Sequence, residues 1–190
     1  MRKLFIAAFM FVSTFTTNSF ADGHAIKMGI ILGFTGPIES LTPAMAASAE
    51  LAFKEASDSG SLLGGKYIKA ERADSTCVDS AAATTAAEGL ISSGVVAIMG
   101  ADCSGVTGAI ATNAAVPNGV VMISPSATSP GLTTLADNGY FFRTAPSDAR
   151  GGQVLADITK DRKVKTIAVT HTNNDYGKGL ADVYVAGVKA

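Results

Sequence analysis

From residue 26 onward the chain alternates short apolar runs with longer amphipathic stretches, the pattern of strands and helices taking turns. Residues 26–32 form an apolar run of strand length, followed by the turn-forming Gly33-Phe34-Thr35-Gly36-Pro37. A helix is predicted next, with Thr42 as N-cap, Pro43 in the first helical position, a body reaching Ala56, and Gly60 supplying the left-handed end. A second unit pairs a strand over 67–73 with an Ala-rich helix over 79–92 that Gly94 closes. A third strand, 95–99, turns at Gly100 and leads through Asp102-Cys103-Ser104 into a helix that stops before Pro117. Strands over 120–123, 140–143 and 166–170 and helices over 152–161 and 176–189 complete the pattern. Parallel neighbours need crossovers, so this alternation predicts an α/β fold, a doubly wound parallel sheet with helices on both faces. Ligands of such sheets bind beyond the carboxyl ends of the strands, which directs attention to the loops after the first, third, fourth and sixth strands.

The N-terminus has a different pattern. Met1-Arg2-Lys3, an apolar stretch over 4–12 and a polar run ending Ser19-Phe20-Ala21 have the three-part layout of a secretory signal, with cleavage expected after Ala21. A membrane anchor is the competing reading, but nine apolar residues rise only about 14 Å as helix against a hydrocarbon core of about 30 Å. Of the 15 basic residues, Arg2 and Lys3 lie in this leader, leaving 13 against 16 acidic ones, a formal charge of −3 for the exported part. The basic residues are scattered singly apart from a mild enrichment over 160–165, which argues against nucleic acid as a partner. The two cysteines, Cys77 and Cys103, would then reside in an oxidising compartment, where an even count predicts one disulfide between them. Closing such a loop stabilises a fold by about 3 to 4 kcal/mol on the chain-entropy estimate. Zinc is the weaker reading, because only His24 and His171 could join the two thiols.

Familiar chemical motifs are missing. Gly29, Gly33 and Gly36 do not have dinucleotide spacing, and Pro37 interrupts the helix entry, so no nucleotide cofactor is expected. Gly64-Gly65-Lys66 lacks the rest of a phosphate loop, and Ser104 stands four residues after Gly100, outside nucleophile-elbow spacing. His171 is the sole candidate base in the ligand loops, and Asp102 and Asp175, the only acids there, come from different units. The chain therefore reads as a binder and not as an enzyme, with no metal and no cofactor. Ser104 opens a helix, so its hydroxyl and the amides of Gly105 and Val106 suit a carboxylate. Thr128 follows the fourth strand, where its hydroxyl and the carbonyl of Ser126 could hold the opposite ends of a zwitterion.

Several segments carry a resemblance: Gly33-Phe34-Thr35-Gly36-Pro37, Ala49-Glu50-Leu51-Ala52, Asp74-Ser75-Thr76-Cys77 and Asp102-Cys103-Ser104. So do Ile123-Ser124-Pro125-Ser126-Ala127-Thr128-Ser129-Pro130, Phe141-Phe142-Arg143-Thr144 and Asp175-Tyr176-Gly177-Lys178-Gly179-Leu180-Ala181. In this order they resemble the leucine/isoleucine/valine-type periplasmic binding proteins of ABC importers, which have the type I binding-protein fold, over nearly the whole chain after the leader. The resemblance implies residues 22–146 as a first ligand-binding lobe, residues 147–190 as the incomplete beginning of a second, and a hinge near residues 146–148. It implies that Ser104 donates to a ligand α-carboxylate, that Thr128 touches carboxylate and ammonium, and that Ser126 offers its carbonyl to the ammonium. Tyr176 would be laid over the ligand by the second lobe, and Leu41 stands where leucine-binding members often have Tyr. The same resemblance implies the Cys77–Cys103 bridge, a branched-chain or other aliphatic amino acid as ligand, a monomer in the periplasm, and ABC permease subunits of the inner membrane as partners. The alternatives are an extracellular ligand-sensing domain for amides or amino acids and, with less support, a small exported α/β enzyme.

Overall fold

The computed structural model describes residues 25–190, so the leader expected over residues 1–21 lies outside the described residues, as does His24. Strand β1 (Ala25–Leu32) is followed by α1 (Thr42–Asp58), β2 (Tyr67–Asp74), α2 (Ser80–Ser93), β3 (Ala97–Gly100) and α3 (Ser104–Ile110). Then come β4 (Val121–Ser124), β5 (Phe141–Arg143), α4 (Asp148–Asp161) and α5 (Asp175–Lys189). The five strands form one parallel sheet in the order β2-β1-β3-β4-β5. The chain moves from β1 to β2 on one side and returns past β1 to β3 on the other, so the topological switch point lies between β1 and β3. A crevice is expected beyond the carboxyl ends of those two strands.

Burial explains the strand pattern. Ile30, Ile31 and Leu32 are fully buried in the central strand, with Ile31 facing one layer of helices and its two neighbours facing the other. Each such side chain contributes about 2 kcal/mol on leaving water. On one face α2 and α3 supply Ala83, Ala87, Leu90, Val106 and Ile110 to the larger core. On the other face α1 packs Met45, Ala46, Ala49 and Phe53 over Ile30 and Leu32. The small alanines let the helices lie close to the sheet.

Several helix ends follow from the residues at them. The Asp79 carboxylate accepts from the amides of Ala81 and Ala82 at the start of α2, and Gly94 ends it at φ 93°. At α1 the expected cap works differently. The buried Thr42 hydroxyl donates to the carbonyls of Gly33 and Glu39 and accepts from no helix amide, which ties the helix start to the preceding loop. Helix α3 passes into a wider turn, Ala111–Ala115, before Pro117 is reached. Helix α4 starts at Asp148, four residues earlier than the apolar spacing predicts, because the Ser147 hydroxyl caps the amide of Ala149.

One expectation needs correction. The sixth strand predicted over 166–170 does not form: this segment pairs with no strand among the described residues, and a strand without a hydrogen-bonded neighbour is only extended chain. Helices lie on both faces of the sheet, as expected, although not over all of it. On the face that α1 covers, β4 and β5 leave Ile123 and Phe142 exposed. Helices α4 and α5 pack on each other instead, with Gly152 lying against Val183 and Gly187 against Ala156. No described helix is long and apolar enough to cross a membrane.

Candidate functional site

A cavity of about 730 Å³ opens beyond the carboxyl ends of β1, β2, β3 and β4, on the side the topology favours. Pro37 and Ile38 reach it from the loop after β1, and Cys77 and Val78 from the loop after β2. Residues Asp102 to Val106 come from the start of α3, and Ser126 and Thr128 from the loop after β4. Asp148 at the start of α4 and Thr172 to Tyr176 at the start of α5 close the far side. Ser80 at the start of α2 lines the cavity as well, so four helices, α2, α3, α4 and α5, begin there with their positive dipole ends near it.

Asp102 organises the sheet side. Its buried carboxylate accepts from the Gly33 amide at 2.8 Å, the Cys103 amide at 2.9 Å and the Ser75 hydroxyl at 3.3 Å, joining the loops after β1, β2 and β3. The Cys77–Cys103 disulfide joins the last two again, with Cα atoms 5.2 Å apart. Asp74 holds the first loop through the Thr35 hydroxyl at 2.6 Å and the amides of Thr35 and Thr76. Burial pushes its carboxyl up, but these donors and the Phe34 amide outweigh it and hold the pKa below the ordinary carboxylate value. Gly36 adopts φ 98° there, and a Cβ on it would meet the Thr76 carbonyl oxygen at 2.4 Å.

The loop after β4 is fixed from behind. The Ser124 hydroxyl donates to the Ala101 carbonyl and accepts from the Ala127 amide, while the Arg143 guanidinium donates to the carbonyls of Ala127 and Ser129. The Ser104 hydroxyl, only 3 % exposed, accepts from the Ser129 amide at 3.1 Å, so it lies beside the residue next to Thr128. The Ser126 hydroxyl donates to the Asp102 carbonyl at 3.1 Å. The Thr128 hydroxyl donates to the Asp148 carboxylate at 2.6 Å, and the Thr128 carbonyl accepts from the Asp148 amide at 2.9 Å.

Ser104, Ser126, Thr128 and Tyr176 thus line one cavity, with the half-exposed Tyr176 ring on the α5 side. Leu41 does not join them. It is 60 % exposed just before α1, and Pro37 and Ile38 are the residues of that loop that reach the cavity. His171 does not line the cavity either; its exposed ring bonds the neighbouring Thr172 carbonyl. Sequence reasoning missed Asp148 and Val78. The only local signal at Asp148 was Ser147 followed by an acid, a common helix start. No group of three or more metal-ligating side chains is gathered among the described residues.

A family model described as "Periplasmic binding protein" matches residues 25–190. The chain belongs to that family. Among periplasmic binding proteins it is 30 % identical over 189 residues to "Leu/Ile/Val-binding protein homolog 3" of Brucella melitensis, covering 99 % of this chain and 50 % of the relative. It is 33 % identical over 184 residues to the leucine-, isoleucine-, valine-, threonine-, and alanine-binding protein of Pseudomonas aeruginosa, covering 95 % and 47 %. A solved branched-chain amino acid transporter substrate-binding protein of Streptococcus pneumoniae, in complex with isoleucine, superposes with a TM-score of 0.75 at 30 % identity, over 87 % of this chain and 47 % of that one. The chain spans about half the length of the relatives it matches. These relatives are binding proteins by name, and the solved one shares the α/β fold expected from the sequence.

Proposed function

We propose that this periplasmic binding protein captures an α-amino acid, branched-chain or otherwise aliphatic, and hands it to the permease subunits of an ABC importer in the inner membrane, without chemical turnover. In this reading the protein is exported to the periplasm, works as a monomer and needs no cofactor. Residues 22–146 serve as one lobe, residues 147–190 begin the other, and residues 146–148 act as the hinge. The observation that carries the reading is that Ser104, Gly105, Val106, Ser126 and Thr128 line one cavity. Free amides at a helix start and a hydroxyl suit a carboxylate; carbonyl and carboxylate oxygens suit an ammonium. Pro37, Ile38 and Val78 leave an apolar patch for an aliphatic side chain. The names of the relatives support the same ligand class.

Titration calorimetry of the full chain against the twenty amino acids tests this. Micromolar or tighter binding is expected for aliphatic members, weakened about tenfold or more by Ser104→Ala or Thr128→Ala. Binding of amides but of no amino acid would favour the sensing reading instead.

A further inference from the structure

We propose that Asp148 is a positioning residue that turns the Thr128 hydroxyl into a pure acceptor, so that the site selects ligands with an ammonium over plain carboxylates. This inference rests on the amino-acid reading above and concerns which half of the ligand each hydroxyl serves.

A hydroxyl has one proton and two lone pairs. At Thr128 the proton is committed to Asp148 Oδ2 at 2.6 Å, within the range of a charge-assisted O–H···O⁻ bond. What remains for the cavity is a lone pair. At Ser104 the commitment is opposite: its oxygen accepts from the Ser129 amide, and its proton has no acceptor among the described residues. Ser104 is bonded to Ser129, the residue next to Thr128, so the cavity holds a donor beside an acceptor. A zwitterion fits that pair in one orientation, with its carboxylate on Ser104 and its ammonium on Thr128. A carboxylate without an amino group leaves the Thr128 oxygen facing apolar carbon, an acceptor unpaired on ligand entry.

Asp148 is well placed for this work. Its side chain lies in the first turn of α4, beside the loop that carries Thr128. Its backbone amide donates to the Thr128 carbonyl, so residues 20 apart in sequence are held at two points. Without the carboxylate, the Thr128 proton becomes free to rotate toward the ligand, and the hydroxyl can serve a carboxylate as readily as an ammonium.

The test compares L-leucine with 4-methylpentanoate, its analogue lacking the amino group, by calorimetry on the full chain. Asp148→Ala is expected to reduce the preference for leucine over the analogue by about tenfold. Asp148→Asn keeps an oxygen that accepts the Thr128 proton and is expected to retain most of the preference. In a Thr128→Val background, where no hydroxyl remains to orient, Asp148→Ala should change the preference no further. Circular dichroism melts show which variants are folded, and the ratio of the two affinities is unaffected by a change in the fraction folded. An equal loss of both ligands in Asp148→Ala, or the same loss of preference in the Thr128→Val background, overturns the proposal. If the unaltered protein binds neither leucine nor any other amino acid, the amino-acid reading itself fails, which is a distinct result.

Discussion

On the sheet side of the cavity, Asp102 reaches Gly33, 69 residues away, and Ser75, 27 residues away. On the α5 side, Asn174 reaches only Thr172 and Gly177, two and three residues away. The first wall is anchored in the core of the fold, because its bonds cannot open without separating β1, β2 and β3. The second is a local turn with a helix cap, in front of a helix whose main packing is against α4. Short-range bonds of this kind open without disturbing a core, whereas long-range ones open only with it. The cavity thus has a preorganised wall and an adaptable one. The preorganised wall carries Ser104 and Thr128, so on the proposed function their geometry would need no assembly on binding. The adaptable wall carries Tyr176, and on the proposed function it is the wall that moves.

The largest expected effect sets these walls against each other. Asp102→Ala leaves the amides of Gly33 and Cys103 and the Ser75 hydroxyl without their buried acceptor, which should cost about 4 kcal/mol of stability. Asn174→Ala removes one exposed cap and should cost about 1 kcal/mol. Urea unfolding of both variants measures the difference. Equal losses would mean that the two walls are held alike and would end the contrast.

This division also explains what the sequence made legible. Strand β1 was readable because burial on both faces demands a continuous apolar run, residues 26–32 against the observed Ala25–Leu32, whereas the edge strand β2 carries Lys69, Glu71 and Arg72 and has no buried residue. Caps were readable where the side chain is local, as at Asp79 and Gly94. The segment over 166–170 has a strand's composition, but composition cannot report whether a neighbour is present to pair with it. Position 41 was singled out through resemblance, yet the backbone turns so that Ile38 and not Leu41 enters the cavity. Serine and threonine at 104, 126 and 128 were legible as loop hydroxyls following strands. Their bonds to Ser129, Asp102 and Asp148 were not, since those partners are 20 to 25 residues away and leave no local trace.

A smaller effect checks whether the anchored wall is satisfied throughout. One turn beyond Ser104, the Thr107 hydroxyl is the single buried side-chain polar atom without a hydrogen-bond partner among the described residues. Thr107→Val keeps the shape and removes the orphan group, so a gain of about 1 kcal/mol is expected in the same urea experiment. A loss of that size would show that this hydroxyl is paired after all, and that even α3 depends on bonds to its polar groups.

The smallest expected effect is acid loosening confined to the anchored wall. Asp74 is charged at neutral pH, and its folded pKa lies below the ordinary carboxylate value because the donors from Thr35, Thr76 and Phe34 outweigh its burial. A depressed folded pKa means that the stabilising contribution is complete above the ordinary value of 3.8 and fades as pH falls through the lower, folded one. The Asn174 amide that caps the opposite wall does not titrate. Between pH 5 and pH 2.5, amide NMR should therefore show Thr35 and Thr76 shifting with a midpoint below 3.8 while Gly177 does not follow. Asp74→Asn should abolish that shift at Thr35 and Thr76. A midpoint at or above the ordinary value would mean that the loop does not favour the charged carboxylate, and that the loop after β1 is held in place by Asp102 and the packing of α1 instead.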